Sequence, residues 1–351
     1  GYQMPGNIPI RAQGDGTVPV PGWTGEHEWT GYIPFDELPM VLNPSDHFIA
    51  TANNQVAPNT YKYLITRDWS APYRAARITE LLQAQDKLSA ADLAAIQGDV
   101  YSQPLVELAK YVQELPTDDF LSRRALDYVK AWDGKMTHDA QAPAILEATF
   151  HALVSDLFEK RMSAETYLAY RNEGSGARQF IDTLLDDPQN EWWDNPETPA
   201  RETRTERLKT ALQAGVNFLG TLYGDAPPEW KWGRIHYATF AHPFGSLKPL
   251  NLLLNVGPVP TSGNSFTVNN AGYRPEKDNY AQRAVASMRL IADTSNWDAT
   301  RWVHTTGESG QPLSAHYSDL VYKWRDVQYE LLPFTREQVE KAKANVLTLK
   351  P

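Results

Sequence analysis

Short β-prone bursts, divided by Gly and Pro, occupy the chain from Gly1 to about Ala57, a pattern expected of strands and hairpins. One alternating run starts at Gly31-Tyr32-Ile33-Pro34-Phe35 and ends past Ile49 in two adjacent amides, Asn53 and Asn54. From Arg74 the period becomes helical, with Ile78, Leu81 and Leu82 on one face. Ser89 and Asp92 form a cap signal ahead of Leu93 and Ile96. Pro104 suits the first turn of a helix carrying Leu105, Leu108, Val112 and Leu115. Further helices are expected from Phe120 to Trp132, stopped by Gly134, and from Pro143 to Phe158. Another runs from Glu202 to Tyr223, its stripe of Leu208, Leu212, Val216 and Leu219 ending at Gly224. After Pro227-Pro228 extended runs return. Thr267 to Asn270, Ala286 to Thr294 and Trp302 to Thr306 are expected strands, and a Thr335-capped helix runs to Asn345 with Gln338 at the capping-box position.

The order is sheet, helical block, sheet, which predicts an α+β fold with the helices inserted between strands of one sheet. Three segments follow: residues 1–73, β-rich and carrying the paired amides; 74–226, helical; and 227–351, sheet with a closing helix. The 351 residues are 42% hydrophobic and include 11 Trp, enough for a real core. A formal net charge of −10 argues against a nucleic-acid partner, which calls for clustered Lys and Arg. The absence of Cys removes disulfides, thiol catalysis and Cys-ligated zinc. The longest apolar run, Leu250 to Val256, is broken by Asn and too short to span a membrane.

Chemistry gathers at few places. A side-chain amide such as Asn53 donates hydrogen bonds without carrying charge, which suits an oxyanion hole; read alone, Asn53 and Asn54 equally suit a turn. Gly307-Glu308-Ser309-Gly310 lacks the second Gly of a nucleophile elbow, because Gln311 stands there. His236 and His242 are six apart, which fits no common zinc spacing, and His236 is expected to pack beside Trp232. His316, Tyr317 and Asp319 are expected to pin a loop, and Arg11 to be structural. Asp118-Asp119 and Asp186-Asp187 read as solvated helix or loop ends. The Trp-rich points, Trp192, Trp193, Trp230 and Trp232, suit an apolar pocket or a core equally.

Set in order, Gly1-Tyr2, Pro19-Val20-Pro21-Gly22, Trp29-Thr30-Gly31-Tyr32-Ile33-Pro34-Phe35 and Ala52-Asn53-Asn54 begin a longer resemblance. Tyr73-Arg74-Ala75-Ala76-Arg77-Ile78, Ala131-Trp132-Asp133-Gly134, Trp230-Lys231-Trp232-Gly233, His242-Pro243, Thr267-Val268-Asn269-Asn270 and Ser287-Met288-Arg289 continue it. Gly307-Glu308-Ser309-Gly310, His316-Tyr317-Ser318-Asp319 and Trp324 complete it. The set resembles the heavy subunit of the penicillin acylase family of N-terminal-nucleophile hydrolases and covers nearly the whole chain.

That resemblance implies a layered α-β-β-α fold and hydrolysis of a small-molecule amide through an acyl-Ser intermediate, without a cofactor. It assigns Asn53 to the oxyanion and Arg77 to polar organisation near the nucleophile, with a surface salt bridge as the alternative for Arg77. The family's nucleophile is an N-terminal Ser, whereas this chain starts with Gly1, which has no side chain to attack with. The expectation is therefore a carboxyl-terminal piece forming one incomplete domain, inactive alone, whose partners are the light chain and the front of the heavy chain. In some members the loop matching Asp15, Gly16 and Pro19 helps hold calcium. Here Tyr63 stands where a second acidic ligand is expected, so no metal is assigned. Two rival readings are a non-catalytic binding or scaffold module and a serine hydrolase using Ser309.

Overall fold

The computed structural model describes residues 1–173 and 175–350. The chain separates into two compact units, Gly1–Asp86 and Lys87–Pro351. The first is held by backbone pairing more than by burial. Tyr2–Gln3 pairs antiparallel with Met40–Val41, and Pro9–Arg11 pairs with Trp29–Tyr32 through a register shift at Ile10/Arg11. Its buried apolar residues are few: Ile33, Leu38, Ala52, Ala57 and Ala71. Large apolar side chains lie in water instead, among them Trp23 (89% exposed) and Met40 (63%).

The expected alternating run does not continue as a strand to Asn54. Residues 42–72 are loops and bends, and Asn43, His47 and Asn53 adopt positive φ. Left-handed residues cannot sit in a pleated ladder, so the alternation of side chains never becomes backbone pairing. The unit closes with the helix Tyr73–Gln83.

The second unit is organised by the helix Ala142–Phe158, which is buried on every side except at His151, Ala152, Ser155 and Asp156. Against it pack Gln103–Val112, Phe120–Lys130 and Arg204–Tyr223. A β-carbon on Gly215 would lie 2.7 Å from the Thr149 amide nitrogen, so a Gly here is what allows Arg204–Tyr223 to touch the central helix backbone to backbone. Caps set the helix starts. Asp119 accepts from the Ser122 amide at 2.6 Å, and Thr203 with Glu206 forms a reciprocal capping box. Helices Ala164–Glu173 and Ser175–Asp186 were not anticipated from the pattern.

Trp193, Trp230 and Trp232 are all fully buried, which decides between pocket and core in favour of core. Each indole donates to a backbone carbonyl: Trp193 to Asp187, Trp230 to Gly224 and Trp232 to Gly263. Buried polar chemistry sits among them. The Glu147 carboxylate receives Arg178 at 3.1 Å and the Asn264 amide at 2.7 Å, while the Arg178 guanidinium lies 3.4 Å over the Phe150 ring.

The strands of this unit form small ladders. Tyr237–Phe240 pairs with Val256–Pro260, Ala271–Tyr273 with Gln282–Val285, and Arg301–His304 lies between Met288–Ile291 and Glu330–Leu331. Thr267 to Asn270, expected as a strand, is a bend following a turn at Ser265 and Phe266. The Thr267 hydroxyl takes the Asn264 amide and reaches the carbonyls of Asn264 and Asn269, so the side chain captures the backbone groups a ladder would need. The closing helix is Arg336–Ala342, with the Thr335 hydroxyl accepting from the Gln338 amide.

Candidate active site

Asn53 stands on a bend with φ of 61°, a conformation Asn tolerates better than most residues. Its neighbour builds that bend. The Asn54 side-chain oxygen accepts from the Ala52 amide at 3.0 Å, and its amide donates to the Gln55 carbonyl at 3.0 Å. The Asn53 carbonyl is held by the Ser70 amide at 2.9 Å, which ties the bend to the segment entering the helix Tyr73–Gln83.

The decisive contact comes from that helix. Arg74 donates to the Asn53 side-chain oxygen at 3.0 Å. With its oxygen occupied, the carboxamide is fixed in one orientation, and among the described residues its NH2 has no hydrogen-bond partner. Arg74 lies in the first turn, where the helix dipole disfavours a cation, and no acid stands in that turn. Among the described residues it forms no ion pair, and its partial burial pushes its pKa down. A half-buried cation faced by a neutral oxygen is poorly compensated, and such an arrangement favours the arrival of negative charge nearby.

Arg77 lies one turn further along the same helix and pairs with Glu80 at 2.8 Å. The residue brought to Asn53 is therefore Arg74. Its signal in the sequence was only its place in the Tyr73–Ile78 motif, which contains two arginines.

Between Asn54 and the helix, residues 55–69 enclose an open groove of about 470 Å³ lined by Tyr61, Tyr63, Lys62 and Trp69. Tyr63 donates to the Glu37 carboxylate at 2.7 Å and Lys62 pairs with the same group. The Asp15 carboxyl is held below its ordinary range by the Thr17 hydroxyl and amide and by Arg67. Among the described residues no group of three or more His, Asp or Glu side chains is placed to hold a metal ion.

Other sequence candidates fall into structural roles. His236 stacks on Trp232 at 4.5 Å; its two ring nitrogens meet the Thr261 hydroxyl and the Ala271 carbonyl, and burial lowers its pKa to about 4. The Ser309 hydroxyl accepts from the Gln311 amide, and the His316 ring is engaged by Asp319 at 2.8 Å. Among the described residues no hydrogen bond joins Ser309 to that His. Gly307 is required by the His316 carbonyl, which a β-carbon would approach to 2.3 Å. No described helix is long and apolar enough to cross a membrane.

A fold of mixed helix and sheet, with a positioned amide on a loop beside a helix N-terminus, suits an amide hydrolase. The model of the penicillin amidase family matches residues 1–341, and the chain belongs to that family. It is 28% identical, over its whole length, to the acyl-homoserine lactone acylase QuiP of Pseudomonas syringae pv. syringae (strain B728a). It is 32% identical over 93% of its length to the penicillin acylase 2 proenzyme of Pseudomonas sp. (strain SE83). It covers 45% of the first relative and 41% of the second, less than half of either. Among solved structures it is similar to the thermostable penicillin G acylase from Alcaligenes faecalis, with a TM-score of 0.62, 18% identity, and coverage of all of this chain and 65% of that one. That likeness establishes the N-terminal-nucleophile hydrolase fold expected from the sequence.

Proposed function

We propose that this chain supplies the oxyanion-stabilising part of an N-acyl amide hydrolase. The observation that carries the reading is the Asn53 carboxamide, held by its oxygen at 3.0 Å from Arg74 while its NH2 has no hydrogen-bond partner among the described residues. The carbonyl of a bound amide gains negative charge as the nucleophile adds. A donor already aimed at that charge stabilises the transition state without reorganising. Arg74 acts as the positioning residue: it fixes the amide and adds positive potential. Arg77, on the same helix, contributes to the polar organisation of the site rather than to the hold on Asn53.

The nucleophile of this reading is a Ser hydroxyl activated by its own α-amine, supplied by polypeptide of the whole protein outside this chain. Attack forms the acyl-Ser ester and releases the amine; water then releases the acid. That remaining polypeptide would also cover Trp23, Trp29, Phe35 and Met40, which are exposed here. The relatives are named for acyl-homoserine lactones and for penicillins. Both are N-acyl amides, and that is the substrate class proposed.

The test is hydrolysis of a chromogenic N-acyl anilide by the full-length protein. Asn53→Ala is expected to lower kcat about 10²–10³-fold with little change in KM. Asn53→Gly keeps the left-handed backbone and removes only the amide, so it should lose as much. Arg74→Ala should lose kcat in the same direction, with partial recovery in Arg74→Lys. An Asn53→Gly enzyme within threefold of the parent would sink the oxyanion role, and a folded full-length protein with no amidase activity would leave a scaffold module as the better reading.

A further inference from the structure

An open cavity of about 820 Å³ lies on the hairpin Ala271–Tyr273 and Gln282–Val285 in the second unit. Three arginines line it, Arg171, Arg274 and Arg283, against one acidic residue among the described lining, Glu276. Glu276 is engaged by Arg283 in an ion pair. Arg274 is exposed, and among the described residues it has no ion pair or hydrogen bond. The Arg171 Nε is buried and, among the described residues, has no hydrogen-bond partner. Its placement is set by the last turn of the helix Ala164–Glu173, where the carbonyl end favours a cation. Gly272 forms part of the floor, and a β-carbon there would come within 3.3 Å of Ala284.

This concentration of positive charge stands out on a chain whose formal net charge is −10. Surface arginines on an acidic protein ordinarily find carboxylates; among the described residues Arg171 and Arg274 have none, and both line one cavity. A concave wall of low dielectric focuses their field on that space. Guanidinium groups present paired N–H donors matched to two oxygens of a carboxylate or phosphate, and such charge-assisted bonds are stronger than neutral ones. We propose that this cavity is a binding site for a small dianionic oxyanion, held by Arg274 and Arg171, with Arg283 and its Glu276 partner forming the rim. This proposal does not depend on the amide chemistry.

The experiment is isothermal titration of the chain with inorganic phosphate and, separately, with succinate, at constant ionic strength in chloride buffer. Saturable binding of either one at one site per chain is expected, and which of them binds distinguishes a phosphate from a dicarboxylate ligand. Arg274→Ala should weaken that binding at least tenfold while leaving the circular dichroism and thermal midpoint unchanged, because the exposed side chain bonds to no other described residue. Arg274→Lys, which keeps charge but loses the paired donors, should fall between. The absence of saturable binding by both anions, or equal binding by the parent and Arg274→Ala, would overturn the site.

Discussion

The two units achieve order by different means. Lys87–Pro351 is built as a core: the central helix Ala142–Phe158 is enclosed, and Trp193, Trp230 and Trp232 have their indole nitrogens satisfied. Gly1–Asp86 holds its shape through short ladders, turns and side-chain-to-backbone bonds, with few buried apolar groups and several exposed aromatic ones. The oxyanion candidate sits in the second kind of structure. A loop held by polar contacts can aim a group such as the Asn53 amide, whereas an apolar core fixes shape but offers few free donors. The difference assigns stability chiefly to one unit and proposed chemistry to the other.

The sharpest way to break this contrast is the buried pair in the core. Arg178→Ala would leave the buried Glu147 carboxylate facing only neutral groups such as the Asn264 amide and Tyr273 among the described residues, and should lower unfolding stability by about 3–5 kcal/mol. Denaturant titration measures it, and a loss below about 1 kcal/mol would show that the helical unit does not carry the fold as argued.

A matched pair of truncations comes next. Leu146 is fully buried in the main cluster, and Leu146→Ala should cost about 2–5 kcal/mol. Leu38 is almost as buried but has few apolar neighbours in its unit, so Leu38→Ala should cost less. Equal losses would erase the distinction. Hydrogen exchange would sharpen it, with amides of Ala142–Phe158 protected far longer than those of residues 42–72.

The smallest effect is a pH dependence. His236 is held neutral by burial, its pKa near 4 against 6.5 when unfolded. Between those values the unfolded chain binds more protons, so stability is complete above pH 6.5 and falls as pH drops towards 4. From pH 7 to pH 5 the loss from this group is about 2 kcal/mol. Urea unfolding at the two pH values checks it, with His236→Gln expected to flatten the slope. Equal slopes in parent and variant would assign the dependence elsewhere.

What the sequence disclosed, and what it withheld, follows the same divide. Helix stripes such as Leu208, Leu212, Val216 and Leu219, and stops such as Gly224, are local properties that survive into the structure. Ser89 with Asp92 forms the reciprocal cap it was read to be; Thr335 accepts from the Gln338 amide, but its own amide donates to Asp298 instead of to the Gln338 side chain, so that box is only half made. Strands were less legible because a strand is defined by its partner. Ile49 to Asn54 alternates but meets no ladder, and Thr267 and Asn270 spend their side chains on nearby backbone. Ala164–Glu173 was missed because its apolar residues do not gather on one face.

The family's identity and the mixed fold were readable from ordered motifs. The contact of Arg74 with Asn53 was not. Which of two arginines in one helix turn meets a loop depends on how the chain returns through residues 55–72, and no spacing rule encodes that path.

Gly215 carries a consequence for recombining this protein with its relatives. Because Arg204–Tyr223 touches the central helix through backbone, the space between them is set jointly by position 215 and by the backbone around Thr149. A chimaera that takes one helix from a relative with a larger residue at that point inherits a spacing the other helix cannot match. Viable crossovers should therefore exchange both helices as one block, with breakpoints before Ala142 and after Gly224.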